Sequence, residues 1–590
     1  MEATATSAEM AAVDALLGAP ASGWTGGELT EEDMHISYGG FHAAAAQRHL
    51  LLPALLAVQS EIGFISQGAM NYVCARLVVP PADAYGVATF YALLFTEPRP
   101  GRVAHVCDDV ACRDRGGLAI LEALGDRDDV LPSPCLGQCD RAPAVFLQLA
   151  GEADAVLVDA APADVALVLG GSSAPTLPVA VPQVGEPTLR LLRRVGVVDP
   201  ASLDAYREHG GYTALPLALA MAPAAVIAEV KASNIRGRGG AAFPMGIKWE
   251  GVLNAAETER YLICNADESE PGTFKDRVLM EGDPFGLIES MTIAGYAVGA
   301  TKGFIYIRAE YPQSRDRLEN AIRVAQGAGL LGPDVAGSGV AFDLEIRSGA
   351  GAYICGEETA LMNSIEGYRG EPRNKPPFPT QVGLFGKPTV INNVETLMNV
   401  PDIVMGGGAA FAEVGTEQST GTKLFCLAGD VATPGVYEVP FGVTLGGLIE
   451  LAGGVTGSGT MRAILLGGAA GVFVGPEHLD MALTLEDARA RDATLGSGVV
   501  LVYDDNTDFR AILRRVAEFF RDESCGQCVP CRVGTVRQEE LLARHLNGAA
   551  LDAGLLDELA RVMGDASICG LGHTASGAIQ SAVALGLVGG

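Results

Sequence analysis

ESCGQCVPCRVGT, residues 523–535, sets Cys525, Cys528 and Cys531 in a C-x2-C-x2-C run, and SICGLG, residues 567–572, adds Cys569 38 positions after Cys531. Three thiols at this spacing wrap three corners of a cubane and one distant ligand closes it, so the set reads as a 4Fe-4S site. Zinc and a redox disulfide are the competing readings. Zinc usually pairs two separated C-x2-C units, and a single thiol pair leaves the third cysteine unexplained. Gly526, Gly570 and Gly572 leave room near the backbone for a bulky inorganic core. Around these cysteines, apolar residues recur at three- and four-residue steps over 509–523, 534–546 and 552–563. The chain therefore closes in a helical unit, residues 503–590.

Working outward, a second group stands far upstream: Cys107, Cys112, Cys135 and Cys139, a C-x4-C followed by a C-x3-C. Strand-like RVAHV (102–106), helical GGLAILEAL (116–124) and strand-like AVFLQ (144–148) and AVLVD (155–159) make residues 99–172 a small α/β domain. Two cysteine pairs from two loops suit a 2Fe-2S rhomb, each pair serving one iron. Four thiolates also satisfy a zinc ion, and spacing alone does not separate the two. Cys74, Cys264, Cys355 and Cys426 are isolated in apolar surroundings and read as core packing.

In front of this domain lie a leader, residues 1–35, expected to be flexible, and a helical prelude, 36–98. Behind it, GGSSAPTLPVAVPQVG (170–185) reads as a linker, bounded at 173–189. A Gly-rich α/β region, 190–419, is followed by a compact β-rich unit, 420–502, with strand-like KLFCLAG, GVYEVP and AILLGG. The fold class is multidomain α/β.

The large region carries three polar segments. NIRGRGGAAFPMGIKW (234–249) offers glycines that let a backbone approach phosphate, with Arg236, Arg238 and Lys248 as cations. It matches neither G-x-G-x-x-G nor a P-loop, and a flexible loop is the plain alternative. NADESEPGTFKDR (265–277) follows apolar YLIC, so its acidic run sits at the carboxyl end of a strand, where α/β sheets bind ligands; a solvated acidic face is the alternative. SGAGAYICGEETALMNSIEG (348–367) leads into a helix, and KPPFP (375–379) and INNVET (391–396) follow.

The 590 residues hold 41 Lys+Arg against 71 Asp+Glu, a formal charge of -30 that opposes nucleic-acid backbones and anionic membranes. The longest apolar run, Ala214 to Ala228, is 15 residues and is broken by Pro216 and Pro223, too short to span a bilayer. The amino terminus shows no secretory pattern, which implies a cytoplasmic protein with reduced thiols.

In this order, the segments from about Arg190 onward closely resemble the 51-kilodalton flavin and NADH-binding subunit of respiratory NADH dehydrogenase. GVATFYALL (86–94), the C-x4-C pair and CLGQCDRAPAV (135–145) resemble the 24-kilodalton subunit, whose thioredoxin-like domain carries a 2Fe-2S cluster. Their fusion resembles the diaphorase subunits of soluble NAD-dependent formate dehydrogenases and NAD-reducing hydrogenases. The resemblance implies a thioredoxin-like 2Fe-2S domain, a Rossmann-like FMN/NADH domain, a β-grasp unit and a C-terminal helical bundle around a 4Fe-4S cluster. For FMN it implies Gly237, Arg238, Gly239, Gly240, Lys248, Asn265, Asp267, Glu268, Tyr353, Gly356, Glu357, Asn392, Asn393 and Thr396. For NAD it implies Phe243 and Phe378 as adenine-stacking positions, with polar contacts from Glu270, Glu358 and Lys375.

Two departures from the family pattern stand out: Ala242, where GRGGAGF is usual, and Gly251, where a second stacking aromatic often occurs. The implied chemistry is hydride exchange between NAD(H) and FMN, with no acid-base catalyst. The four-iron cluster is the onward acceptor and the two-iron cluster a side store. The implied partner is a catalytic subunit with further clusters and a Mo or W formate dehydrogenase site; the alternatives are a nickel-iron hydrogenase or a non-catalytic scaffold. A nickel-iron centre needs two C-x2-C pairs, which the isolated cysteines do not supply, so it would lie on another polypeptide. Glu270 and Glu358 imply an acidic nucleotide site that prefers NAD to NADP.

Overall fold

The computed structural model describes residues 3–20, 46–457 and 459–588. Four helices open it: Ser7–Leu17, Leu51–Ile62, Gln67–Leu77 and Pro81–Ala88. The first lies within the leader expected to be flexible, and the structure corrects that expectation. Thr6 and Glu9 form a capping box, Val13 is buried, and Asp14 accepts from Tyr72 Oη at 2.7 Å. Residues 21–45, which hold the rest of the leader and the start of the prelude, lie outside the described residues.

Strands β1 (Arg102–Cys107), β2 (Val130–Ser133), β3 (Val145–Leu149) and β4 (Ala155–Leu157) form a mixed sheet ordered β2-β1-β3-β4, with helix Gly117–Leu124 crossing between the parallel pair β1 and β2. Strands β5 (Tyr261–Ala266), β6 (Lys302–Ile307), β7 (Asp343–Ser348) and β8 (Thr389–Asn393) form an all-parallel sheet ordered β7-β6-β5-β8. Its strands are apolar along their length because the crossing helices cover it; Pro284–Val298 is buried at all but one position. Strands β9 (Thr422–Gly429), β10 (Gly435–Pro440), β11 (Met461–Leu466), β12 (Val472–Val474) and β13 (Val499–Asp504) form a mixed sheet ordered β10-β9-β13-β11-β12. In it β9 and β13 run parallel, and helix Leu445–Leu451 follows the β9–β10 hairpin. Helices Phe509–Asp522, Val529–Leu546, Ala553–Ala566, Gly570–Thr574 and Gly577–Ala584 end the chain.

The second of these helices starts at Val529, five residues earlier than its apolar pattern implies. Pro530 fits a first helical turn, where its missing N–H costs nothing, so Cys531 sits on the helix rather than before it. One continuous apolar core joins the opening helices, the parallel sheet and the closing helices.

The linker carries no helix or strand between 173 and 189, yet it is fastened from Leu177 onward. Pro178 O accepts from Arg141, Leu177 O from Gln313, and Gln183 pairs with the backbone of Glu438 at 2.7 and 3.3 Å. Glu438 Oε2 then accepts from the N–H groups of Arg190, Leu191 and Leu192. Among the described residues no single helix is long and apolar enough to cross a membrane; Ala214–Ala220 and Pro223–Ala232 meet at 119°.

Candidate redox site

In the parallel sheet the order runs β5, β6, β7 in one direction and returns to β8 on the other side of β5. The crevice beyond the carboxyl ends of β5 and β8 is where such a sheet takes ligands. Asn265 and Asn393 are paired in register there. The 237–240 loop closes on it: Arg238 N donates to Thr396 Oγ1 at 2.8 Å, and a Cβ on Gly239 would come within 3.1 Å of the Asn393 Cβ. Gly240 has φ +116°, open to glycine alone at low cost. Asn265 Nδ2 donates to Gly356 O at 2.8 Å, and Trp249 Nε1 to Asn392 Oδ1 at 2.9 Å. Glu357 caps helix Glu358–Ile365 by accepting from the N–H groups of Thr359 and Ala360.

At the mouth, Lys248 and Lys375 each reach Glu358 at 2.9 Å, and Lys375 reaches Glu357 at 2.8 Å. Burial works to raise the Glu358 carboxyl, but Lys248 and Lys375 outweigh it and hold it below the usual range. Phe243 and Phe378 stand about half exposed beside this cluster, at 48% and 52%, as flat apolar surfaces facing solvent. Glu358, read from the sequence together with Glu270 as an acidic pair, is not a bare charge here, because Lys248 and Lys375 balance it and Glu357. Glu270 is spent elsewhere: it accepts from Tyr353 Oη at 2.6 Å and from Ala470 N at 2.8 Å, and burial pushes it up to about 7. Ala242 has φ +51°, so the residue that replaces a glycine costs about 1 kcal/mol of backbone strain.

Two of the implied ligand side chains turn inward. The Arg238 guanidinium is buried, donates to Thr420 O at 2.7 Å and lies 4.7 Å from the Phe441 ring, so only its backbone faces the crevice. Glu268 accepts from the N–H groups of Asp276 and Arg277 at 2.8 and 3.0 Å and from Tyr311 Oη at 3.2 Å; burial pushes it up to about 8. Asp267 keeps a buried oxygen, Oδ2, without a partner. Beneath the crevice lies a charged floor that sequence reasoning missed. Lys275 Nζ is 2.8 Å from Asp276 and 3.0 Å from Glu395, and Glu395 also accepts from Leu424 N. Its only signal was the run KDR between apolar neighbours.

Cys525, Cys528, Cys531 and Cys569 line one small pocket with Ile354, Ile568 and Leu571. Burial pushes Cys531 up to about 12 and Cys569 up to about 11, so metal binding there must release protons. Cys107, Cys112, Cys135 and Cys139 are buried together at the ends of β1 and β2; Cys135 Sγ lies 3.4 Å from Cys139 Sγ and accepts from Gly137 N. The Cys107 and Cys139 thiols beside Cys135 hold it well below the usual thiol range. All twelve cysteines are free thiols, and no three His, Cys, Asp or Glu side chains among the described residues are gathered as ligands to a single ion. Both quartets suit a polynuclear group better than one zinc. The four isolated cysteines are buried.

A four-residue turn, Tyr353–Gly356, joins crevice to pocket. Gly356 O holds Asn265, Ile354 lines the four-cysteine pocket, and Tyr353 N donates to Glu523 at 2.9 Å with its ring 5.0 Å from that of Phe519. On the other side, Arg277 Nε donates to Gly137 O at 2.8 Å, between Cys135 and Cys139.

The Nuo51 FMN-binding domain family matches residues 230–402, which contain this crevice. An NADH-quinone oxidoreductase subunit of Rhizobium meliloti is 45% identical over 67% of this chain and 94% of its own length. The chain belongs to the Nuo51 family of NADH-quinone oxidoreductase subunits. The NADP-reducing hydrogenase subunit HndC of Solidesulfovibrio fructosivorans is also 45% identical, over 66% of this chain and 80% of its own. Three further families match: the thioredoxin-like [2Fe-2S] ferredoxin over 40–168, the SLBB domain over 424–469 and the NADH-ubiquinone oxidoreductase-F iron-sulfur binding region over 511–585. A chain of a NAD+-reducing [NiFe]-hydrogenase in the H2-reduced state aligns with a TM-score of 0.79 at 34% identity, covering 91% of both chains. As a member of the Nuo51 family fused to the ferredoxin domain, the chain is an oxidoreductase subunit whose cofactors are FMN, NAD, one 2Fe-2S and one 4Fe-4S cluster.

One substitution tests the ferredoxin loop. Gly137 has φ +62°, and a Cβ there would overlap the Tyr311 hydroxyl. Gly137→Ala is expected to displace the Cys135–Cys139 loop and remove the 2Fe-2S electron paramagnetic resonance signal while FMN stays bound; an unchanged signal would refute it.

Proposed function

We propose that this chain is the electron-input module of a larger complex, exchanging hydride with NAD(H) at the crevice and exchanging electrons with a partner catalytic subunit through the Cys525–Cys569 cluster. The reading rests on the Tyr353–Gly356 turn, which touches both the crevice and the four-cysteine pocket. Bound FMN supplies the conversion between a two-electron hydride and single electrons.

The chain's own residues bind and orient. The 237–240 backbone, Asn265, Asp267, Tyr353, Gly356, Glu357, Asn392, Asn393 and Thr396 cradle the flavin, with Arg238 and Glu268 bracing that cradle from behind. Phe243, Phe378, Lys248, Glu358 and Lys375 take the nucleotide at the mouth, and Glu270 fixes Tyr353 to the SLBB unit. The domain bounds of this reading are 99–172, 190–419, 420–502 and 503–590.

For the partner we infer a molybdenum or tungsten formate dehydrogenase subunit, on the fused chain with both cysteine quartets intact. The likeness of the whole chain to one from a NAD+-reducing [NiFe]-hydrogenase favours a second reading, a nickel-iron partner. Anaerobic purification of the complex from its host tests both levels. The chain should carry FMN and about six irons and reduce artificial acceptors with NADH. Molybdenum or tungsten in the complex supports the first partner and nickel the second; protein that takes up no flavin overturns the module itself.

A further inference from the structure

Beyond the implied ligands, the ferredoxin loop is held by an ion pair from the parallel sheet. Arg308 and Glu310 follow β6, are 3% and 6% exposed, and meet at 2.7 Å. The guanidinium reaches two backbones at once. Its Nη2 donates to the carbonyl of Cys135 at 2.8 Å and its Nη1 to the carbonyl of Glu268 at 2.7 Å. The pair is not self-contained, because Arg308 Nε and Glu310 Oε2 are buried without partners. Both residues line a cavity that Cys135 and His105 also line. Arg277, which also holds this loop, is matched by two carboxylates, Asp140 at 2.8 Å and Glu281 at 3.3 Å. Arg308 has one carboxylate within 4 Å, so removing either member changes the net charge beside the loop by one.

One-electron reduction of a 2Fe-2S group adds one negative charge and breaks no bond. In a buried setting, with an effective dielectric constant far below that of water, a fixed charge nearby shifts that equilibrium strongly. Net charge and burial are among the levers that set such potentials. We propose that the Arg308–Glu310 pair sets the reduction potential of the 2Fe-2S cluster, the guanidinium favouring the reduced form and the carboxylate opposing it. Both are positioning residues, acting through field and loop placement. The inference rests on the reading that Cys107, Cys112, Cys135 and Cys139 hold that cluster.

The test is a redox titration of the full-length, cluster-loaded protein followed by electron paramagnetic resonance, comparing Arg308→Gln, Arg308→Lys and Glu310→Gln with the unmodified chain. At fixed ambient potential, Arg308→Gln should lower the reduced-to-oxidised ratio of the two-iron signal about tenfold, 59 mV for a one-electron couple. Glu310→Gln should raise it by a similar factor, and Arg308→Lys should stay near the unmodified value. A merely structural pair would give shifts of one sign or none, and either result overturns the proposal. If Arg308→Gln loses the cluster, Glu310→Gln decides alone: a higher midpoint supports the proposal and an unchanged or lower one overturns it. Absence of a two-iron signal from the unmodified, iron-replete chain refutes instead the cysteine reading beneath it.

Discussion

Cys531→Ser is expected to leave flavin bleaching by NADH near its normal rate and to collapse NADH-linked turnover of the complete complex. Cys531 lies buried in the first turn of helix Val529–Leu546, with its sulfur 3.3 Å from Ser524 Oγ. Serine is a poorer ligand than thiolate for a soft metal centre. Changes outside a metal's own ligands already cost about 10–100-fold in affinity or activity, so loss of a ligand should cut turnover by roughly 100-fold or more. The crevice lies on the far side of the Tyr353–Gly356 turn, and none of its hydrogen bonds involves Cys531. Flavin content must be checked first, because metal binding couples to folding in the helical unit. Stopped-flow flavin reduction and assembled-complex turnover then separate the steps. Cys135→Ser should remove the two-iron signal and reduce turnover less. Normal turnover in Cys531→Ser would take the four-iron cluster off the electron path.

Lys275→Met should cost about 3–5 kcal/mol, the usual penalty for breaking a buried charge pair from one side. Lys275 is fully buried, and burial works to lower its ammonium; Asp276 and Glu395 outweigh that and hold it above the usual range. Without it, Asp276 keeps its charge in a dry interior with no cation paired to it, and Glu395 retains only Lys423 at 3.9 Å. Lys275 Nζ also donates to Asn393 Oδ1 at 3.4 Å, so FMN affinity should fall with stability. The check is the urea midpoint of the flavin-domain transition together with retained flavin. Adding Asp276→Asn should recover part of the loss, since it removes the carboxylate whose only ion pair was with Lys275. A loss under about 1 kcal/mol would mean the floor is not held by this lysine.

The parts of this site that could be read from the sequence are local in the chain. The C-x2-C-x2-C run announces itself because three ligands lie within seven residues, and the strand before Asn265 points its acidic loop at the crevice. What could not be read depends on partners distant in sequence. Nothing near Arg238 says that its guanidinium will be used by Thr420 and Phe441, 182 residues on for the hydrogen bond. Glu268 looks like a surface carboxylate until Tyr311 and the Asp276 and Arg277 amides close over it. Glu358 looks acidic until Lys375, 17 positions later, neutralises it. Arg308 and Glu310 sit just beyond a strand end in a stretch with no motif, and only the docking of the ferredoxin loop gives them a role. The fastening of the linker is hidden for the same reason: Pro, Gly and Ser describe its lack of regular structure and say nothing of Gln183 meeting Glu438.

That fastened linker changes what the ferredoxin domain experiences. A domain that arrives as a separate chain must find its site by diffusion and leaves it when the solution is dilute. Here the strap from Leu177 to Leu192 makes docking an intramolecular event, governed by an effective concentration of order millimolar that no buffer volume alters. The two-iron cluster is therefore supplied at one copy per flavin, at any protein concentration.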